Sequence, residues 1–195
     1  MIGFLPKFLV SSLNTKSPLL LPRDNKFLPF AQTWIPPLGL SFKINVDAAM
    51  GLCFSFIAVV ARDQKRELVF TSTMKVNTTI PLQAKAKAIR WAISLAPTLV
   101  GKSVIVESDS QFVVQLLLKL AVPSPWRIKS LCFDLRPLLS LFGNVSVIWV
   151  FRLCNEVAHT LAKWCLSCNF FGSFGCGYSP NYLSSVILGK SSRVL

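Results

Sequence analysis

The sequence predicts a mixed α/β domain, a five-stranded mixed sheet flanked by helices. Three observations lead there. Residues 42–48 alternate between apolar and polar side chains, as a strand with two unlike faces does. Residues 81–97 carry one apolar stripe at helical spacing between two prolines. Strand-like and helix-like runs then succeed one another to about residue 168, in the order three strands, helix, strand, helices, strand, helix.

The elements follow in turn. In 42–48, Phe42, Ile44, Val46 and Ala48 share one face, with Lys43, Asn45 and Asp47 on the other, so a half-buried strand with an acid near its end is expected. Residues 53–61 and 67–76 are β-branched and aromatic-rich runs around the polar turn Asp63-Gln64-Lys65-Arg66, which reads as a hairpin. Pro81 opens a helix whose stripe is Leu82, Ala86, Ile89, Ile93 and Ala96, and Pro97 closes it. Residues 102–107 form a short buried strand, and an apolar helix runs from Gln111 to about Leu120. An amphipathic segment reaches Phe142, residues 144–151 make a fifth strand, and Asn155 to about Cys168 a last helix.

The 195 residues suit one domain with a tail at either end. Residues 1–33 read as an unstructured leader; their four prolines, scattered bases and single acid also fit an organelle-targeting peptide. Residues 34–168 form the domain, and the glycine-punctuated 169–195 a loosely packed extension. At 52% hydrophobic and 15% charged residues the chain is not a disordered protein. Its apolar runs are too short, or too interrupted by Gly, Ser, Asn and Pro, for a spanning helix of about 20 residues. A net charge of +13 points instead to nucleic acid or another anionic surface, since Lys and Arg placed near phosphates release counterions. The six cysteines read as reduced thiols buried among apolar residues. Cys165, Cys168 and Cys176 with His159 have zinc-like spacing but lack a second close pair.

Five strings carry a resemblance. They are W-I-P-P-L-G-L-S-F-K-I-N-V-D-A-A at 34–49, A-V-V-A-R-D at 58–63, P-L-Q-A-K-A-K-A at 81–88, V-I-V-E-S-D-S at 104–110 and N-E-V-A-H-T-L-A-K at 155–163. In this order they resemble the plant reverse-transcriptase-like branch of the ribonuclease H (type 1) family, a branch derived from retroelements. The resemblance implies a ribonuclease H-like fold and metal-dependent cleavage of the RNA strand of RNA–DNA hybrids. Two magnesium ions are then expected on four carboxylates. Metals about 4 Å apart clamp the attacking water and the leaving oxygen, and their mutual repulsion needs a dense cluster of acids to offset it.

Two of the four acids are present. Asp47 matches the acid that bridges both metals, and Asp109, just past the fourth strand, matches the third. The helix Glu is replaced by Lys85, and Gln83 replaces another common Glu without supplying charge. His159, the only histidine, stands at the fourth acid. The lysine changes the local charge by two units, and Coulomb energies of a few kcal/mol at an effective dielectric near 20 cost several powers of ten in metal affinity. Lys85 is therefore expected to sit where a metal would, between Asp47 and Asp109, which otherwise read as plain strand-end acids. Glu107 is expected outside this site, Trp91 away from the helix stripe, and Trp126 and Trp149 in the core.

Three functions are consistent with these residues. One is an active hybrid ribonuclease. The second is a nucleic-acid-binding ribonuclease H-like domain whose cleavage is lost or weakened, acting as a monomer on an RNA–DNA hybrid or other duplex in nucleus or cytoplasm. The third is a decayed or domesticated retroelement fragment acting in protein contacts. The second fits the charge and the altered acids best.

Overall fold

A computed structural model of the chain describes residues 33–99, 101–118 and 125–175. The leader up to residue 32 and the stretch 176–195, with Cys176, lie outside the described residues. The first three strands, β1 (Ser41–Met50), β2 (Ser55–Arg62) and β3 (Leu68–Val76), form an antiparallel meander. Helix α1 (Pro81–Leu95) leads through a short 3-10 turn, Ala96–Thr98, to β4 (Ser103–Ser108), which pairs parallel to β1. Helices α2 (Gln111–Leu118) and α3 (Trp126–Leu141) precede β5 (Val145–Trp149), parallel to β4. A 3-10 turn, Arg152–Asn155, then feeds α4 (Glu156–Cys168).

Among the described residues the sheet has six strands rather than five, in the order β5-β4-β1-β2-β3-β6. The sixth, β6 (Gly172–Gly175), pairs with β3 from Phe70 to Thr73. The sheet thus takes in residues from the segment expected to be a loose extension. Backbone pairing made this strand; its Gly-Ser-Phe-Gly sequence has neither length nor alternation to announce it.

Two apolar layers sandwich the sheet. On one face Ile44, Val46 and Ala48 of β1 pack with the buried side of α1 (Ala86, Ile89, Ile93) and with Ile128 and Leu135 of α3. On the other, Phe56, Ala58 and Val60 of β2 pack against Val157, Leu161 and Cys165 of α4. This second cover corrects the half-buried reading of β1. Asn45 and Asp47, on its polar face, are as buried as the apolar face because α4 lies over them. Asp47 also stands within β1 rather than at its end, since the strand runs on to Met50.

Three other expectations change. Trp126 is 79% exposed at the start of α3, and Trp149 is partly exposed on the edge strand β5, so neither fills the core. Trp91 is half-buried against the first apolar layer and donates its indole N–H to Ser72 Oγ at 3.2 Å. Of the five described cysteines only Cys132 and Cys165 are buried, and Cys53 and Cys168 are exposed. Burial pushes the Cys165 thiol up to about 11, which disfavours the thiolate a zinc ion would need. Among the described residues no helix is long and apolar enough to cross a membrane.

Candidate active site

The position of the site follows from where a ladder ends. β1 and β4 pair only as far as Val46 and Ser108. Beyond that point β1 continues alone on this side, so Asp47 looks into a gap that opens where β4 turns into α2. Asp109 is the first residue past β4 and lies at the same gap. Parallel pairing of the two strands fixes this neighbourhood without further help.

Lys85 enters the gap from α1, on the opposite face of the sheet. Its Nζ lies 2.8 Å from Asp47 Oδ1 and is also hydrogen-bonded to Asp109 Oδ1. The two carboxylates thus share one ammonium, at the helix position where the resemblance places a Glu. The surroundings are dry: the side chains of Asp47, Asp109 and Lys85 are 0%, 7% and 15% exposed. Asp47 Oδ1 further accepts the backbone N–H of Ala48 at 2.8 Å.

Arg152, which the sequence reasoning did not single out, closes the other side. Its Nη1 lies 2.5 Å from Asp109 Oδ2 and 3.5 Å from Asp47 Oδ2. Its Nη2 lies 2.7 and 2.9 Å from the two ring nitrogens of His159. One amino nitrogen cannot reach both in the ring plane, so the guanidinium sits over the imidazole face. His159 in turn donates from Nδ1 to Asp47 Oδ2 at 3.0 Å. The only sequence signal for Arg152 is that it is a lone charge in the run from Val145 to Asn155.

The electrostatics follow from these contacts. Burial alone would push the Asp109 carboxyl up, but hydrogen bonds and charge from Lys85 and Arg152 overcome it and hold the group below its usual range. Burial opposes the Arg152 charge, yet its bond to Asp109 and the charges of Asp47, Asp109 and Glu156 leave it raised. Two carboxylates meet one lysine and one arginine, and the formal charges sum to zero.

Asn155 is what places His159. It is fully buried at the start of α4, donates to Val46 O at 2.9 Å, and accepts from Asn45 Nδ2 at 3.1 Å. One helical turn later the imidazole meets Asp47. Glu107 stays outside, as expected. It accepts from Trp34 Nε1 at 2.8 Å and from Asn45 at 2.9 Å, and pairs with Lys43 at 2.7 Å. In this adjoining network the Arg62 guanidinium lies 3.5 Å over the Trp34 ring, and burial pulls its pKa down to about 10. Gln83 serves elsewhere, donating to Arg127 O and accepting from Thr78 at 2.7 Å each, which ties α1 to α3.

The fold is ribonuclease H-like. LC11-RNase H1, isolated from compost by a metagenomic approach, is similar with a TM-score of 0.61 at 17% identity, over 67% of this chain and 99% of that one. RNase H1 from the halophilic archaeon Halobacterium salinarum NRC-1 gives 0.60 at 21% identity, over 66% and 98%. A structure of LC11-RNase H1 in complex with an RNA/DNA hybrid gives 0.58 at 18%, over 66% and 99%. No curated protein sequence matches the chain. Residues 45–165 match the family described as Reverse transcriptase-like, and the chain belongs to that family.

The ribonuclease H-like relationship implies a dependence on divalent metal, and this donor set was tested against it. Among the described residues no group of three or more His, Cys, Asp or Glu gathers to hold a metal ion. The two carboxylates already receive Lys85 and Arg152, whose charges would repel a divalent cation. The residues do not fit a metal pair.

Proposed function

We propose that the chain is a nucleic-acid-binding ribonuclease H-like domain, with an RNA–DNA hybrid or a related duplex as its partner. Its hybrid ribonuclease activity is lost or severely weakened. The observation that carries this reading is Lys85, inserted between the two remaining acids of a site that elsewhere needs four. Retention of the fold supports binding, because the strand ends and helices that bring Asp47 and Asp109 together are those that would present them to a duplex. The net charge of +13 supports a polyanionic partner. Plant and retroelement origin rest on the five strings between residues 34 and 163 taken in order. The monomeric state and the nuclear or cytoplasmic location belong to the same reading.

Binding of a labelled RNA–DNA hybrid, titrated at rising salt, tests the proposal. The affinity should fall steeply on a log–log plot, by close to one unit of slope for each phosphate contact. Millimolar magnesium should yield no hybrid cleavage by the natural protein and no thermal shift. Lys85→Glu should gain a magnesium-dependent shift. Cleavage by the natural protein as fast as by Lys85→Glu would overturn the loss of activity, and a flat salt dependence would overturn the binding.

A further inference from the structure

We infer that Lys85 and Arg152 make the Asp47–Asp109 site a metal-independent docking point for a phosphodiester. The inference rests on the proposed nucleic-acid binding and says where and how one backbone phosphate is met. Two bare carboxylates repel a phosphate. A divalent metal pair would remove that repulsion, but this donor set does not fit one. Two side-chain cations do the same work here. Lys85 takes the inner oxygens of Asp47 and Asp109, and Arg152 takes the outer ones.

The two cations are not equivalent. Lys85 is 15% exposed and is committed to its carboxylates, so it neutralises. Arg152 is 50% exposed, so part of its fork faces solvent. A guanidinium presents five N–H donors in a plane that matches a phosphate, and only some of these are taken up by Asp109, Asp47 and the His159 ring. Those contacts also hold the fork in one orientation, so little side-chain freedom is left to lose when an anion arrives. His159 is thereby a positioning residue, an imidazole shelf fixed by its bond to Asp47.

The experiment titrates the full chain with a labelled RNA–DNA hybrid in EDTA and in millimolar magnesium at matched ionic strength. Natural protein should bind equally well in both. Arg152→Gln should weaken binding in EDTA by about tenfold, the loss of one charge-assisted contact. Arg90→Gln removes an exposed charge from α1, away from the site, and should change affinity far less. Thermal melts of both variants check that they are folded. Should Arg152→Gln melt early, the EDTA comparison on natural protein still decides. Binding that requires magnesium, or equal losses for Arg152→Gln and Arg90→Gln, overturns the inference and leaves the proposed function standing. No binding in either buffer overturns both.

Discussion

Asp47 has no water to turn to. Its side chain is fully buried, and what stabilises its charge is the ring of Lys85, Arg152, His159 and the Ala48 N–H. Removing one partner from such a buried pair costs about 3–5 kcal/mol, far more than the pair is worth against a well-packed apolar pair. Lys85→Met keeps most of the aliphatic stem and deletes the charge, so it should lose stability of that order in urea unfolding. Arg152→Gln should lose about 1 kcal/mol or less, because a half-exposed partner is replaced by solvent. Equal costs would mean that Lys85 is a surface lysine with a fortunate rotamer. Asp109 sets the acid limb. Its native carboxyl titrates below the ordinary value of 3.8, so the native state takes up its proton less readily than the unfolded chain. The stability it contributes is complete above that value and is lost as pH falls through the lower native one. Arg152 is raised by the same contact and keeps its charge, so it does not compensate. Unfolding measured from pH 6 down to about pH 3 should therefore fall more steeply in the natural protein than in Asp109→Asn. Parallel profiles would contradict the pairing.

Between residues and fold stand the elements, and the tightest junction is the turn from β1 to β2. Gly51 donates its N–H to Phe54 O at 2.8 Å, and a Cβ there would stand 2.9 Å from that same oxygen and 3.0 Å from Leu166 Cδ1 of α4. The oxygen belongs to backbone and cannot swing away, so Gly51→Ala should cost about 1–3 kcal/mol of overpacking in chemical denaturation. A neutral substitution would show that the turn is looser than its hydrogen bond implies. Legibility in the sequence followed the elements in the same physical way. β1 and α1 were readable because each repeats one period long enough to show, with alternation in Phe42–Ala48 and a stripe from Leu82 to Ala96. Asp47, Lys85, Asp109 and His159 were singled out through the resemblance, because each stands inside one of the five strings that carry it. β6 was not readable, since four residues carry no period and the strand exists through its pairing with β3. Burial of the polar face of β1 was hidden for a related reason. Alternation reports one apolar face, but it does not say whether a helix will cover the polar one, and Asn45 and Asn155 make that cover possible by satisfying each other. Arg152 sits in a 3-10 turn with no period at all, and its role appears only when β1, β4 and α4 converge.

At the scale of the whole molecule, two kinds of electrostatics coexist and respond differently to salt. The balanced cluster at Asp47 is buried and weakly screened. The net charge of +13 belongs to the chain of 195 residues as a whole, and its self-repulsion opposes the compact state. Added salt shortens the Debye length from about 30 Å at 0.01 M to about 8 Å at 0.15 M, which relieves the surface repulsion and leaves the cluster nearly unchanged. The melting temperature should therefore rise with sodium chloride over this range, the opposite of what a fold held mainly by exposed ion pairs would do. A polyanion that binds only the native state should have the same effect at far lower concentration, since a ligand at a hundred times its Kd stabilises by about 2.7 kcal/mol. Heparin supplies the charge density without the geometry of a duplex, and an RNA–DNA hybrid supplies both. If the hybrid raises the melting temperature more than heparin at equal charge, shape as well as charge is being recognised. If salt lowers the melting temperature, attraction between exposed charges outweighs the net repulsion, and the excess of Lys and Arg no longer argues for a polyanionic partner.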